Sequence, residues 1–221
     1  MDGNRRWARE RGLPVALAYR RGLSALRRIV RAARAAGIPV LTAFAFSEEN
    51  WRRPSGEVDV LMRLCLHAAR NELRAMGREG VRVRLCGRLD RLPERTRSAL
   101  EELVARTAQN AAITLNLAID YGARREIGDA VRSLVREVSA GLRDADSIDE
   151  LAIGNHLYTA GLPDPDLVVR TGGELRLSNF LLFQSAYAEF WATPTYWPDF
   201  NEGDLAEALA DFATRQRRYG T

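Results

Sequence analysis

The stretch IPVLTAFAF at residues 38–46 decides the fold. It is short, apolar throughout and rich in β-branched and aromatic residues, the pattern of a strand buried on both faces. Gly37 precedes it and ends a segment, 16–36, in which Leu17, Leu23, Leu26, Ile29, Val30 and Ala33 recur at near-helical spacing. After it, residues 57–76 again read helical, with Val60, Leu61, Leu64, Ala68 and Leu73 on one side. The alternation continues outward. VRVRLCG at 81–87 predicts a strand whose arginines place it near a sheet edge, and Pro93 opens a helix over 94–108. AITLNLAID at 112–120 is a further strand, followed by a helix over 123–140. A weaker helix at 147–159, a buried strand DLVVR at 166–170, a helical segment at 177–188, a short strand FWAT at 190–193 and a helix over 202–218 complete the chain. Strands and helices alternating over short connections define an α/β domain, a parallel sheet flanked by helices, here a single domain over 1–221.

Composition narrows the function. The 221 residues carry 33 basic and 29 acidic side chains, a net +4, and every basic residue is arginine. That excess suits an anionic ligand but is too weak to argue for nucleic acid. An apolar fraction of 46% excludes intrinsic disorder. No run reaches the ~18–20 apolar residues of a membrane span and no leader precedes the first motif, so at most peripheral membrane contact is expected. Cys65 and Cys86 have neither metal-ligand spacing nor a disulfide framework. A reduced, cytoplasmic protein is the expectation.

Four clusters carry chemistry. Asp2-Gly3-Asn4-Arg5-Arg6-Trp7 joins an acid, a glycine that permits close backbone approach, and guanidiniums that fork onto oxygens, a set suited to a diphosphate with Mg²⁺. Phe46-Ser47-Glu48-Glu49-Asn50-Trp51-Arg52-Arg53-Pro54 follows a buried strand, where open α/β sheets bind ligands. Arg170-Thr171-Gly172-Gly173-Glu174-Leu175-Arg176-Leu177-Ser178-Asn179 follows another, with Arg170, Arg176 and Ser178 able to cradle a phosphate. Glu189, in Ala186-Tyr187-Ala188-Glu189-Phe190, is costly to bury without a metal or an arginine. The first three clusters taken singly also read as ordinary structure: a solvated terminus, a charged loop, an ion pair of Arg170 with Glu174.

GxxxxGK[ST], GxGxxG and GxSxG are all absent, against a P-loop ATPase, a dinucleotide fold and an α/β-hydrolase. His67 and His156 stand isolated on helical patterns and read as structural. A motif as polar as MDGN normally sits at the carboxyl end of a strand, so a first strand is expected to be missing from this record.

Taken in order, MDGNRRWA, FSEENWRRP, TLNLAIDYGAR, RTGGELRLSNFLLFQSAYAEF and WPDF resemble the cis-prenyltransferase family, undecaprenyl diphosphate synthase type, over essentially the whole chain. The resemblance implies a homodimer of six-stranded parallel sheets, each with a hydrophobic tunnel. It implies Mg²⁺-dependent, head-to-tail condensation of isopentenyl diphosphate onto an allylic diphosphate with cis geometry. By the same resemblance Asp2 is the Mg²⁺-linked acid, with Glu189 helping to place the metal. Gly3, Asn4, Arg5, Arg6 and Trp7 belong to the allylic diphosphate loop. Phe46, Ser47, Asn50, Trp51 and Arg53 belong to the loop that aligns the reacting ends, with Asp2 and Asn50 catalytic. Arg170, Arg176 and Ser178 form the isopentenyl diphosphate site, and Arg217-Arg218-Tyr219-Gly220 resembles a tail reaching the partner subunit.

Three positions depart from the family. Val15 stands for an arginine and Tyr19 for a histidine, both serving the allylic diphosphate, although the Tyr19 hydroxyl can still donate one hydrogen bond. Asp120 stands for the asparagine before Tyr-Gly. Tyrosine at position 19 also occurs in the irregular, lavandulyl-type branch, which keeps open an irregular or short product. A non-catalytic partner subunit of the same fold is the other alternative, and it needs none of Asp2, Asn50, Arg170 and Arg176. Ala45 and Ile113 are expected on the tunnel wall, the first small enough to let a chain pass and the second a floor.

Overall fold

Helix α1 (Asn4–Glu10) and helix α2 (Val15–Ala35) open the computed structural model, which describes residues 1–216. Helix α2 buries Ala18, Leu26, Ile29, Val30 and Ala33 along one stripe, the spacing that its sequence sets. Strand β1 (Val40–Ser47) leads through a 3₁₀ turn at Glu48–Arg52 into α3 (Ser55–His67). Pro54 fixes that entry. A π-helical turn at Ala68–Glu72 joins α3 to α4 (Leu73–Arg78). Then come β2 (Val81–Cys86), α5 (Glu94–Thr107), β3 (Ile113–Tyr121), α6 (Ala123–Ser139) and α7 (Glu150–Gly154). Strands β4 (Leu167–Arg170) and β5 (Glu189–Ala192) and helix α8 (Glu202–Thr214) complete the described chain. The Arg217–Gly220 tail motif lies outside the described residues. No helix among them is long and apolar enough to cross a membrane.

Strands β1, β3 and β2 form a parallel sheet in that order, and β4 and β5 pair in parallel as a second sheet. Among the described residues five strands form two sheets, which does not confirm the expected six-stranded sheet. The Asp2 N–H donates to the Thr171 hydroxyl and its C=O accepts from that hydroxyl and from Trp197 N–H, so Asp2 joins no strand ladder. The edges of β1 and β4 border a cavity between them. Strand β1 is accordingly half-buried, not enclosed on both faces. Strand β3, paired on both sides, is the enclosed one, and Leu115 and Ala118 have no exposed surface. Strand β2 is an edge, as its arginines indicated. The main core gathers Ile29, Met76, Leu100, Leu103 and Leu115, each burial contributing about 1.5–3 kcal/mol.

Residues 177–188 form turns instead of the expected helix. Ser178, Asn179 and Leu181 hold positive φ of 51°, 63° and 47°, which no helix accepts. A buried polar network fixes this path. The Tyr121 hydroxyl donates to Glu126 Oε2 at 2.5 Å and accepts from Leu181 N–H, and Gln184 donates to Glu126 and to Thr159. Burial, and then the Glu126 charge, push the Tyr121 hydroxyl pKa well up.

Candidate active site

Asp2 and Arg170, 168 residues apart in sequence, meet at the mouth of the cavity. Arg170 Nη2 donates to Asp2 Oδ2 at 2.9 Å, and its Nη1 donates to Ser178 Oγ at 2.8 Å and to the Arg176 carbonyl. Gly3 N–H donates to Asp2 Oδ1 at 2.6 Å, with the Arg6 guanidinium 3.5 Å from the same oxygen. Burial raises the Asp2 pKa, but the bonds from Arg170 and Gly3 and the charges of Arg170 and Arg6 outweigh it, leaving the carboxyl below its usual range. The buried Thr171 hydroxyl accepts from Asp2 N–H and donates to Asp2 C=O, both at 2.9 Å. Gly172, at φ +85°, lets this close approach happen, since a Cβ there would stand 2.7 Å from Arg6 Nη2.

Arg6 also pairs with Glu174 at 3.3 Å, and Glu174 holds Arg176 at 2.6 Å. One carboxylate thus bridges a guanidinium from each of two expected anion sites. Gly3, at φ +98°, is approached closely by Tyr196, whose Cδ1 would meet an added Cβ at 2.5 Å. Asn4 lines the cavity, and Arg5 reaches Glu57 Oε2 at 3.8 Å.

The second loop builds the opposite wall. Ser47 and Asn50 exchange capping-box hydrogen bonds across the 3₁₀ turn, Ser47 N–H donating to Asn50 Oδ1 at 3.1 Å. Phe46, Ser47, Asn50 and Arg53 all line the cavity. Arg53 Nη1 donates to the Tyr19 hydroxyl at 2.6 Å and to Glu57 Oε1 at 2.9 Å. The Tyr19 hydroxyl in turn donates to Glu57 Oε1 at 2.6 Å, so its single proton is already committed. Burial pushes Glu57 up, yet the Tyr19 bond and the Arg53 and Arg5 charges bring it below the usual carboxylate range. Sequence reading missed Glu57. Its only sequence signal is that it follows Arg53 by four residues on the same turn-helix segment. Asn179 ties the two loops together, its amide reaching Glu48 at 3.4 Å and Glu49 at 3.2 Å.

Three expected residues face elsewhere. Trp7 is buried in the α1–α2 contact and donates Nε1–H to Asp199 at 2.7 Å. Trp51 does not line the cavity, and its indole N–H donates to Asp120 at 2.8 Å. Glu189 does not join Asp2: it stands beside Leu167 at the start of the β4–β5 pair, whereas Arg170 is at the far end beside Ala192. Its partner is Arg215 at 2.8 Å.

Among the described residues no three His, Cys, Asp or Glu side chains converge on a metal position. Mg²⁺ commonly takes one or two protein carboxylates, with substrate phosphates and waters filling the shell. Asp2, whose side chain is 38% exposed at the cavity mouth, fits that mode.

The cavity encloses about 1020 Å³ and runs inward from Asp2 and Arg170 along an apolar wall that includes Leu26, Leu61, Met62 and Leu100. Ala45 lines it, at the bulge where the β1–β3 register shifts. Ile113 does not; it is 1% exposed within the core, and from β3 only Leu117 and Ile119 reach the cavity. Ile113 therefore is not the expected floor. Cys65 also faces this space, and burial pushes its thiol up to about 12.

A sheet edge, two arginine-rich loops sharing one carboxylate, and an apolar cavity together make a site with a cationic mouth and an apolar interior. The comparisons give the family. The family model described as putative undecaprenyl diphosphate synthase matches residues 1–220. The isoprenyl transferase of Heliobacterium mobile is 47% identical over 220 residues, covering 100% of this chain and 85% of that protein. That of Agrobacterium fabrum is 50% identical, covering 100% and 89%. Lavandulyl diphosphate synthase from Lavandula x intermedia, solved with dimethylallyl diphosphate, superposes with a TM-score of 0.97 at 36% identity over 100% of this chain and 95% of that one. A probable undecaprenyl diphosphate synthase from Campylobacter jejuni gives 0.80 at 32% identity, over 91% and 92%. The chain belongs to the undecaprenyl diphosphate synthase family of isoprenyl transferases.

Proposed function

We propose that the protein condenses isopentenyl diphosphate onto an allylic diphosphate, with Mg²⁺, to give a Z-polyprenyl diphosphate. The observation that carries this reading is the meeting of Asp2 and Arg170 at the mouth of a 1020 Å³ apolar cavity. In this reading Arg170, Arg176 and Ser178 hold the isopentenyl diphosphate. Asn4, Arg5, Arg6 and Arg53 hold the allylic diphosphate. Asp2 would carry Mg²⁺, which supplies charge to stabilise the departing diphosphate when bound. As the allylic C–O bond ionises, negative charge grows on the leaving group, so guanidinium contacts strengthen toward the transition state. Asn50 and Phe46 keep the second double bond within ~3.5 Å of the cation. The apolar wall excludes water from that cation and takes up the tail at ~0.8 kcal/mol per CH₂. We further propose a cytoplasmic homodimer. Val131 and Val135, 46% and 56% exposed on α6, offer an apolar face for the second copy.

The test is one incubation with Mg²⁺, labelled isopentenyl diphosphate and a panel of allylic primers, followed by chromatography. Successive five-carbon additions support the reading; absence of product with every primer overturns it. Head-to-middle coupling of two dimethylallyl units is the second reading, favoured by Tyr19 and the 0.97 superposition on lavandulyl diphosphate synthase. Its product forms without isopentenyl diphosphate.

Two variants sharpen this. Ala45→Leu adds three carbons to the cavity wall and should shift products to shorter chains, read by chromatography. Restoring Val15→Arg with Tyr19→His should lower the allylic KM by about tenfold, ~1.4 kcal/mol, because the pair adds cationic and donor groups where the Tyr19 proton is taken by Glu57. Product length should not follow the second change.

A further inference from the structure

We propose that Asp120 and Arg91 are positioning residues that clamp Trp51 from behind and so fix the loop presenting Asn50 and Arg53 to the reacting ends. Three contacts meet at the indole. Asp120 Oδ1 accepts its N–H at 2.8 Å. The Arg91 guanidinium lies over its ring, 4.8 Å from the centroid, and 3.6 Å from the same Asp120 oxygen. Phe46 packs edge-on against it, with ring centroids 5.1 Å apart. Neither Asp120, Arg91 nor Trp51 lines the cavity, whereas Phe46, Asn50 and Arg53 do. The clamp therefore acts on the loop's far side and reaches substrate only through it.

Asp120 is an expensive way to hold a tryptophan. It is 2% exposed, it takes φ +48°, and its Oδ2 is buried without a hydrogen-bond partner. Burial raises its pKa, against the Trp51 bond and the charges of Arg91 and Arg125. Backbone strain and an unpaired carboxylate oxygen at one residue point to a positional role. Its charge, and not only its acceptor, is what the geometry uses. An amide oxygen could still accept the indole N–H, but only an anion also draws in Arg91, whose side chain is 40% exposed and has solvent as an alternative.

The proposal rests on the reaction proposed above, so the experiment carries a readout independent of turnover. Wild type, Asp120→Asn, Arg91→Gln, Arg91→Lys and the double variant Asp120→Asn/Arg91→Gln are compared for kcat, both KM values, melting temperature and acrylamide quenching of Trp51 emission. The Trp51 signal is taken as the difference from a Trp51→Phe protein. Arg91→Gln should raise Trp51 quenching and lower kcat by about three- to tenfold with the isopentenyl diphosphate KM within about twofold. Arg91→Lys should recover part of both effects. Because the two residues act through one ring, the double variant should be no worse than the more damaged single variant. Unchanged Trp51 quenching in Asp120→Asn and Arg91→Gln overturns the clamp even if no substrate is turned over. So do additive kcat losses that follow melting temperature. A wild type inert on every primer would instead count against the proposed reaction alone.

Discussion

Asp2→Ala should lower kcat by about three orders of magnitude while leaving the fold intact. Its carboxylate is the one acid that Arg170, Arg6 and the Gly3 N–H jointly hold at the cavity mouth. No other site acid replaces it: Glu57 is held by Tyr19, Arg53 and Arg5 and Glu174 by Arg6 and Arg176, and neither side chain is as exposed as that of Asp2. The backbone bonds of Asp2 to Thr171 and Trp197 do not involve the side chain and survive the change. Circular dichroism should therefore stay close to wild type, with the melting temperature lowered by loss of the Asp2–Arg170 pair, and a variant keeping most of its turnover removes Asp2 from the chemistry. The pH dependence follows from the sign of the shift. A carboxyl whose folded pKa lies below its unfolded value contributes stability above the unfolded pKa, and that contribution is lost as pH falls through the folded one. Acid loss of activity through Asp2 should thus set in below the usual carboxylate range, and the alanine variant should lack that limb.

Most of the fold was legible because apolar periodicity is dense where burial is complete. The helices at 15–35, 94–107 and 123–139 and the strand at 113–121 match the sequence pattern within about two residues. The helix expected over 147–159 shortens to α7 (Glu150–Gly154), and two further elements were misread for physical reasons. Residues 177–188 carry helical spacing, but the Tyr121–Glu126–Gln184 network and positive φ at Ser178, Asn179 and Leu181 bend them into turns. Residues 38–46 look enclosed because they are apolar, yet part of that apolar surface faces a cavity and not a neighbouring layer. A cavity wall and a protein core select the same apolar side chains. At the site, the loops were legible because a charged cluster directly after a strand is a local signal. Which way each side chain turns was not: Trp7 and Trp51 pack inward on Asp199 and Asp120, partners far away in sequence. Glu57 escaped for the opposite reason, being an ordinary acid in a helix until Tyr19 and Arg5 are folded onto it.

Arg170→Ala should raise the KM for isopentenyl diphosphate by about 10- to 100-fold, the ~1.5–3 kcal/mol of a lost charged hydrogen-bonding group. Arg170 ends β4 with its side chain only 13% exposed, so it is desolvated and oriented before any substrate arrives. Arg176 is 63% exposed and leans on Glu174, so its alanine variant should cost less. That ranking is itself a test, since equal losses would mean that both guanidiniums reorganise on binding. Arg170 also touches Asp2, so kcat should fall as well, and the double variant Asp2→Ala/Arg170→Ala should lose less than the sum of the two singles. The affected KM decides the assignment of the sites. If it is the allylic diphosphate whose KM moves, while that of isopentenyl diphosphate holds, the two anion sites have been exchanged. Asp2 would then face the homoallylic substrate, and the cavity would have to be entered from the other loop.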